Sequence, residues 1–260
     1  MTTIQILQRL REKIVLVSTK AREGHIPSAL SILDLLWVLY DSTLKISPFD
    51  NTRDYFIMSK GHASIGLYAV LAEKKLIEED ELQGFASLHS TLGGHPDRNK
   101  IAYVEASTGS LGHGMPIGVG VALSKKINAH SGSVYILVGD GECNEGSIWE
   151  STLLATEHKL SNVCCIVDHN HTTDRALKID SIEEKFRAFG WEAVSISGHD
   201  HEAIQGAFTQ FLMRQSDKPF CIIANTIKGR GVKMMENNPE WHHKTPSEQE
   251  LKQIVQEIYG

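Results

Sequence analysis

The sequence predicts an α/β fold with three layers, a parallel β-sheet that carries helices on both faces. Short apolar segments of strand length alternate with longer segments of helical periodicity through the second half of the chain. Residues 134–138 and 163–167 are two such strands with a helical segment between them, and strands connected in this way run parallel. The 260 residues contain no repeat, low-complexity tract or Pro/Ser-rich linker, so we expect a single domain, 1–260.

The first half of the chain is predicted to be mainly helical. Residues 2–22 repeat apolar side chains every three or four positions, as in an amphipathic helix, and residues 28–40 are apolar nearly all round, as in a buried helix. Residues 109–126 alternate glycine with small apolar residues, which indicates close approach of the backbone to a neighbour. The other predicted elements here are a polar turn at 50–54, a short strand at 55–59, helices at 66–75 and 78–87, and a loop-rich region at 89–106.

The second half alternates strands with helices. The strands are short apolar runs, whereas the helical segments repeat apolar residues at spacings of three and four. Residues 227–241 have little periodicity and are predicted to form a long loop. The predicted strands are 134–138, 163–167, 193–196 and 220–225, and the predicted helices are 147–160, 182–189, 201–215 and 247–259.

The composition narrows the classes of function. The chain has a formal net charge of -6 and no broad basic cluster, so neither nucleic acid nor an anionic membrane is an expected partner. Its apolar stretches are too short to span a membrane, and we expect a soluble, cytoplasmic protein. The four cysteines, Cys143, Cys164, Cys165 and Cys221, show no CxxC spacing and are predicted to be reduced, buried thiols.

A carboxylate between two glycines follows the strand at 134–138. Asp140 lies between Gly139 and Gly141, and Asn170 follows the next predicted strand, with 28 residues between Gly141 and Asn170. Ligands collect beyond the carboxyl ends of parallel strands, and a carboxylate with an amide oxygen suits Mg²⁺ or Ca²⁺. The glycines allow backbone N–H groups to approach phosphate oxygens. A plain Asp-Gly turn would explain the first segment alone, but the position of Asn170 favours a cation site.

Three histidines, His25, His62 and His95, follow breaks that contain glycine. Imidazole suits proton transfer because its ordinary pKa lies close to neutral pH. Each of them taken alone would more often be a surface or structural residue, and their shared placement favours a role in a site. His169 and His171 form an HxH pair without further spaced ligands, which is weak evidence for zinc. The histidines predicted to be structural include His130, His199 and His201.

Several segments, taken in order, resemble the motifs of transketolases. GDGECNEG at 139–146, followed by DHN at 168–170, is similar to the motif of that family for thiamine diphosphate and metal. The resemblance covers nearly the whole chain and stops where the first domain of the family stops. The other similar segments are EGHIPSALS at 23–31, SKGHAS at 59–64, GGHPD at 93–97, STGSLGHG at 107–114 and TIKGRGVKMMENNPEWHHK at 226–244.

The resemblance implies a thiamine-diphosphate-binding fold, with thiamine diphosphate and Mg²⁺ (or Ca²⁺) as cofactors. Asp140, Asn170 and the backbone carbonyl of Thr172 would bind the cation. The other implied cofactor-binding residues are His62, Gly139, Gly141 and His242 around the diphosphate, and Gly109 and Leu111 against the aminopyrimidine and thiazolium rings.

The residues to which the resemblance gives catalytic roles are His25, His62, His95 and Glu145. The three histidines would line the substrate channel as proton shuttles or as hydrogen-bond partners of sugar hydroxyls. Glu145 would lie at a contact between subunits and couple two cofactor sites. An acid that stabilises a helix start through the helix dipole is the alternative for Glu145, and both descriptions can hold together.

The sequence departs from the family pattern at three places. Residues 26–28 are Ile-Pro-Ser, where the family usually has Pro-Gly and small residues after the histidine that corresponds to His25. His243 stands where the family has a glycine, which leaves the diphosphate-binding histidine open between His242 and His243, with His242 preferred. His113 stands where the family often has a glutamine.

The resemblance does not include the second domain of the family. That domain carries the glutamate that activates the aminopyrimidine ring, the support for the bent cofactor and the basic residues that hold substrate phosphate. We therefore expect the diphosphate-binding subunit of a split transketolase, with a C-terminal subunit that supplies the pyrimidine-binding half in an α₂β₂ assembly. The pair would transfer a two-carbon ketol unit from a ketose (phosphate) to an aldose.

Two other functions share part of this pattern. An α-type subunit of a thiamine-dependent 2-oxo acid dehydrogenase would have the GDG segment and the later Asn, but not the three histidines. A non-catalytic module that binds a nucleotide or a diphosphate would keep the metal site and show no turnover with any partner.

Overall fold

The computed structural model describes residues 1–47, 51–175 and 177–260. The strands within these residues are β1 (Tyr55–Met58), β2 (Val134–Gly139), β3 (Val163–His169), β4 (Glu192–Ser197) and β5 (Phe220–Asn225). They form a parallel sheet in the order β1-β2-β3-β5-β4, which confirms the predicted α/β class. Asp50, at the start of the predicted polar turn, lies outside the described residues.

Helices flank this sheet. Thr2 and Gln5 form a capping box at the start of the first helix, and Ser247 and Glu250 form one at the start of the last, so local side chains satisfy backbone N–H groups there. The second helix is buried along its whole length, as its nearly uniform apolar sequence predicts. The α-helices of the described residues are α1 (Thr3–Ala21), α2 (Ile26–Val38), α3 (Ser64–Glu73), α4 (Gly114–Ile127), α5 (Gly146–Glu157), α6 (Ile182–Ala188), α7 (His201–Met213) and α8 (Glu248–Tyr259).

The two faces of the sheet bury separate hydrophobic clusters. Successive strand side chains point to opposite faces, so Tyr135 and Leu137 pack with α1, α2, α3 and α7, whereas Ile136 and Val138 pack with α4, α5 and α6. Burial of apolar side chains on both faces holds the helices against the sheet. This is the three-layer arrangement that the sequence predicts.

One predicted helix is wrong. Within residues 78–87 the chain forms a 3₁₀ helix, Glu79–Gly84, instead of an α-helix. Leu82 is the one buried residue of this 3₁₀ helix, and the chain leaves the helical conformation at Phe85, which packs into the core from outside the helix. Short helices without such packing are marginal in water.

Strand β3 is two residues longer than the predicted 163–167. Asp168 and His169 continue the ladder with β5. Asp168 is fully buried and forms an ion pair with Lys60, which lies 108 residues away in the sequence. A charged residue therefore continues the strand because its partner comes from another segment, which periodicity does not show.

Glycines bring α4 close to the sheet. A Cβ on Gly114 would lie 2.5 Å from Cβ of Ser59, and one on Gly118 would lie 2.4 Å from Cδ1 of Ile136. This confirms the close backbone approach predicted for 109–126. Because Ser59 directly precedes Lys60, α4 supports the segment that leads from β1 into the site described below.

The four cysteines are free and buried, as predicted. Burial raises the pKa of the Cys143, Cys164 and Cys221 thiols, which keeps them protonated and unreactive. No helix among the described residues is long and apolar enough to cross a membrane.

Candidate active site

A cavity of about 460 Å³ lies at the carboxyl ends of β1, β2 and β3. Its wall is formed by the start of α2, by the segments that follow these three strands, and by parts of the loops around residues 109–111 and 228–242. Every residue that the family resemblance implies for the cofactor, the cation or the substrate channel lines this cavity, whereas Glu145 does not. The fold thus brings together residues that are far apart in the sequence.

Asp140 lines this cavity and has one carboxylate oxygen without a partner among the described residues. Its Oδ1 accepts a hydrogen bond from the N–H of Gly141 at 2.8 Å, while Oδ2 is buried without a hydrogen-bond partner among the described residues. Burial and the nearby negative charge of Asp168 raise the pKa of Asp140. A buried carboxylate oxygen without a donor is costly, and a cation would satisfy it.

The side-chain amide of Asn170 has a defined orientation. Its Nδ2 donates to Oδ2 of Asp168 at 2.7 Å, so its oxygen faces away from that carboxylate. This oxygen accepts hydrogen bonds from the N–H of Thr172, at 3.1 Å, and from the Thr172 hydroxyl. The backbone of Thr172 is thereby held beside the Asn170 oxygen, where both residues line the cavity.

A buried ion pair between Lys60 and Asp168 supports this arrangement. Asp168 also accepts hydrogen bonds from the hydroxyls of Ser31, at 2.7 Å, and Thr226. Burial alone would raise the pKa of Asp168, but the charge of Lys60 and the hydrogen bonds outweigh it and lower the pKa. Asp168 therefore stays ionised and is a strong acceptor for the amide of Asn170.

The backbone after β2 leaves space for a ligand. Among the described residues, a Cβ on Gly141 would meet no atom within 4 Å, and one on Gly139 would meet only Cβ of Lys60, at 4.0 Å. Glu142 holds this turn from the buried side, where it accepts hydrogen bonds from the N–H groups of Gly139, at 3.0 Å, and Gly112, at 2.9 Å. Hydrogen bonds to Glu142 thus hold the turn in place on its buried side, while its other side is open. Close approach by a phosphate requires such an open side.

His25 and His62 lie side by side, with ring centroids 5.2 Å apart. Burial, and then the positive charge of Lys60, lowers the pKa of His62 to about 2. Burial, and then the neighbouring His243 and His242, lowers the pKa of His25 to about 4. Both imidazoles are therefore uncharged at neutral pH, and each can donate one hydrogen bond and accept another.

Lys228 and His242 form a polar pair that lines the same cavity. Nζ of Lys228 lies 2.6 Å from Nδ1 of His242, and both residues line the cavity, whereas His243 is outside its lining. Burial, and then the charge of Lys60, lowers the pKa of Lys228 to about 8, so its ammonium group is mostly charged at neutral pH. The structure thus places His242, rather than its neighbour, beside a cation that could bind an anion.

The outer wall consists of His95, Gly109 and Leu111. A Cβ on Gly109 would lie 3.1 Å from Cδ2 of His95, and Gly109 has a φ of +152°, which favours glycine. Leu111 is 45% exposed, so it offers apolar surface next to the backbone of Gly109. Such a surface suits a flat ring.

Glu145 lies outside the cavity. It is the N-cap residue of α5, it is exposed, and its side chain makes no capping hydrogen bond. Its position at a helix start fits the alternative weighed from the sequence. Its role at a contact between subunits stays a prediction.

The sequence does not predict three of the charged residues that line the cavity, Lys60, Glu142 and Lys228. Each lies in a segment in which the sequence predicts other site residues or a similarity to the family, namely SKGHAS, GDGECNEG and TIKGRG. A charged residue next to glycines and apolar residues in such a segment is a usable signal, since burying it requires a partner.

The donor set fits a divalent cation bound to a diphosphate. Hard oxygen ligands of the kind that Mg²⁺ and Ca²⁺ prefer are present at Oδ2 of Asp140, at the oriented oxygen of Asn170 and at the backbone carbonyl of Thr172. Lys228 and His242, which line the same cavity, offer hydrogen-bond donors to phosphate oxygens.

Comparison with known proteins identifies the family. The family model described as transketolase, thiamine diphosphate binding domain, matches residues 3–260. An apulose-4-phosphate transketolase subunit from Actinobacillus succinogenes is 38% identical over 258 residues, which cover 96% of this chain and 93% of that protein. Human transketolase is 38% identical over 261 residues, which cover 97% of this chain but 41% of that protein.

A solved structure of a transketolase is also similar to this chain. Transketolase from Campylobacter jejuni superposes with a TM-score of 0.87 at 32% identity, over 99% of this chain and 43% of that chain. The chain therefore spans nearly the whole of a relative named as a subunit and less than half of the longer transketolases. It belongs to the transketolase family, in which it corresponds to the thiamine diphosphate binding domain.

Proposed function

We propose that this chain is the diphosphate-binding subunit of a two-component transketolase, which transfers a two-carbon ketol unit from a ketose to an aldose. The observation that carries the proposal is that Oδ2 of Asp140 is buried without a hydrogen-bond partner among the described residues, and that Asp140 lines the same cavity as the oriented side chain of Asn170. The two-component form is supported by similarity, along nearly the whole length of both chains, to a relative that is named as a transketolase subunit.

The residues of this chain bind and orient the cofactor. Thiamine diphosphate supplies a nucleophilic carbon and an electron sink for breaking a carbon–carbon bond of a ketose. Asp140, Asn170 and the Thr172 carbonyl hold Mg²⁺ or Ca²⁺, while Lys228 and the backbone at Gly141 face the diphosphate. The other proposed contacts are His62, Gly139 and His242 at the diphosphate, and Gly109 and Leu111 at the rings.

The histidines of the channel act on the sugar. His25 and His62 are uncharged at neutral pH because burial lowers their pKa, so they exchange hydrogen bonds and protons with hydroxyl groups without adding charge to the channel. His95 lines the same cavity from its exposed side. A sugar phosphate is the proposed donor, since the relative from Actinobacillus succinogenes is named for apulose 4-phosphate.

A partner chain completes the enzyme. This chain matches 41% of human transketolase, so the rest of that protein lies outside the matched residues. We propose that a C-terminal subunit supplies the pyrimidine-binding half and that two copies of each chain form an α₂β₂ enzyme, with Glu145 at a contact between subunits. The four free, buried cysteines fit a reducing compartment, and we place the enzyme in the cytoplasm.

The test is a titration of the purified chain with thiamine diphosphate and Mg²⁺, with and without the protein encoded beside it. Ketose cleavage and binding are measured in the same samples. We expect tight binding and turnover only when both chains are present. Turnover by this chain alone would contradict the two-component form, and the absence of binding in both samples would contradict the thiamine assignment.

Two rival functions give different results in the same assay. Decarboxylation of 2-oxo acids by the pair would indicate an α-type subunit of a 2-oxo acid dehydrogenase. Binding of cofactor without turnover, whichever partner is added, would indicate a non-catalytic binding module. Neither is favoured by the three channel histidines that line the cavity.

A further inference from the structure

Three histidines meet at the edge of the cavity. The ring centroids of His25 and His243 are 4.4 Å apart, those of His242 and His243 are 4.5 Å apart, and those of His25 and His242 are 5.8 Å apart. One ring nitrogen from each residue lies within 4.8 Å of those of the other two. His243 contributes to this cluster although it is outside the lining of the cavity.

The two segments that carry these histidines touch through their backbones. A Cβ on Gly24 would lie 2.2 Å from the carbonyl oxygen of His243, so the chain at 24 and the chain at 243 are in direct contact. His25 is the N-cap residue of α2, which is buried along its length, and Trp241, just before His242, is 4% exposed. The imidazoles therefore project from anchored backbone, which a precise ligand site requires.

The rings have lone pairs available for a metal ion. Burial, followed by the neighbouring histidines, lowers the pKa of His25, and burial, followed by the charge of Lys228, lowers that of His242. Both shifts favour the neutral imidazole, which is the form that binds metals. The Nδ1 atom of His242 carries a lone pair, because it accepts from the ammonium group of Lys228.

We propose that His25, His242 and His243 form a binding site for a transition metal ion such as Zn²⁺, distinct from the Mg²⁺ site at Asp140. Imidazole nitrogens suit Zn²⁺, Ni²⁺ and Cu²⁺, whereas the oxygen ligands at Asp140 suit Mg²⁺ and Ca²⁺. Three histidines with water in a fourth position form a common zinc geometry, with bonds of about 2.0–2.1 Å. The metal takes the lone pair of His242 in place of the Lys228 ammonium, which moves away on its flexible stem.

Metal binding at this site inhibits the enzyme. The ion binds the ring nitrogens of His25 and His242, which line the cavity, so these nitrogens are no longer available to the substrate. It also displaces Lys228 from His242. The expected inhibition rests on the proposed function, but the binding itself does not. His243 makes the third ligand in a position where the sequence departs from the glycine of the transketolase pattern.

A second cluster serves as a control. The ring nitrogens of His169 and His171 and a carboxylate oxygen of Asp174 also lie within 4.8 Å of one another. His171 already pairs with Asp174 at 3.0 Å and His169 with Asn225 at 3.1 Å, and His171 is exposed. This cluster carries no further evidence for a ligand.

The test is calorimetric titration of the full chain with Zn²⁺, and with Co²⁺ followed by visible absorption, in the absence of thiamine diphosphate and Mg²⁺. We expect one strong site, with affinity reduced more than about tenfold by His243→Gly and by His243→Asn, since loss of outer-shell contacts alone costs about 10- to 100-fold. Asp140→Asn and His171→Ala should leave it unchanged. Unchanged affinity in both His243 variants, or loss of the site in either control, would overturn the proposal.

A second measurement separates this proposal from the proposed function. Binding of thiamine diphosphate with Mg²⁺, and turnover with the partner chain, should be the same in His243→Gly as in the original chain. Zn²⁺ should inhibit turnover of the original pair and spare the variant pair. Equal inhibition of both pairs would contradict the inhibitory role, while failure of cofactor binding in both would contradict the proposed function.

Discussion

Asn170 donates a hydrogen bond from its side-chain amide to Asp168 over 2.7 Å, and this contact sets the direction of its oxygen. Asp168 is in turn paired with Lys60, and all three side chains are buried. A predicted cation ligand is thus oriented by an ion pair beneath it. Loss of such outer contacts commonly lowers metal affinity about 10- to 100-fold.

Asp168→Asn should destabilise the chain because it leaves Lys60 buried without a counter-charge. Removing one partner of a buried ion pair costs about 3–5 kcal/mol, and we expect the free energy of unfolding in urea to fall by that order. Lys159→Ala is the matched control, since it breaks a pair with Asp217 in which both side chains are more than 60% exposed, at 66% and 62%. Such exposed pairs contribute about 0–1 kcal/mol. Equal losses in the two variants would contradict the expected role of the buried pair.

Asp140→Asn should separate ligand binding from stability. Asparagine keeps an oxygen for the N–H of Gly141 and removes a charge that burial and Asp168 disfavour. Because the pKa of Asp140 is raised in the folded chain, the cofactor-free protein gains stability as pH falls through that pKa, and the variant lacks this gain. At neutral pH we expect the variant to unfold at the same or a higher urea concentration, with affinity for thiamine diphosphate and Mg²⁺ reduced at least about tenfold. Reduced stability with unchanged affinity in calorimetry would contradict this assignment.

The sequence predicts the sheet and its carboxyl edge because these depend on local patterns. Periodicity within a segment identifies β2 and β3, and parallel strands bring their carboxyl ends together, so Asp140 and Asn170 could be placed at one site. The His242 register could not be decided in this way, since two adjacent histidines differ only in which of them faces the cavity.

The missed features depend on partners from distant segments. Lys60 is buried because Asp168 lies opposite it, and β3 continues through Asp168 for the same reason. The predicted helix at 78–87 is wrong because the helical conformation ends before Phe85, so Leu82 is the one residue of Glu79–Gly84 that reaches the core. The pattern within a segment shows which of its residues are apolar enough to be buried. It does not show which partners the rest of the chain provides for its charged residues.

His62 should make stability depend on pH in the weakly acidic range. Its pKa is about 2 in the folded chain and near 6.5 when unfolded, so between these values the unfolded chain binds one more proton. Stability is therefore lost as pH falls below about 6.5, at up to about 1.4 kcal/mol per pH unit. We expect a shallower loss for His62→Gln when urea unfolding of the cofactor-free chain is followed from pH 7 to pH 5. Parallel curves for the two proteins would show that His62 is not buried in its neutral form.

His199 is connected to the cavity through the backbone of Ile227. Its Nε2 accepts a hydrogen bond from the N–H of Ile227 at 2.8 Å, so its proton is on Nδ1, which donates to Asp34 at 2.9 Å. Asp34 is buried, and hydrogen bonds from His199 and His201 outweigh the effect of burial and lower its pKa. Since Ile227 directly precedes Lys228, the position of His199 constrains where the Lys228 ammonium lies.

A double-mutant cycle between His199 and Lys228 tests this connection. His199→Ala should weaken binding of thiamine diphosphate with Mg²⁺ by displacing Lys228, and Lys228→Met should weaken it directly. Because both changes act through the same ammonium group, the loss in the double variant should be smaller than the sum of the single losses, with a coupling energy of about 0.5–3 kcal/mol. Calorimetry of the four proteins measures it, and His130→Ala, at an exposed position, should combine additively with Lys228→Met. If the losses of binding free energy caused by His199→Ala and Lys228→Met are also additive, His199 contributes to folding alone and does not position the Lys228 ammonium group.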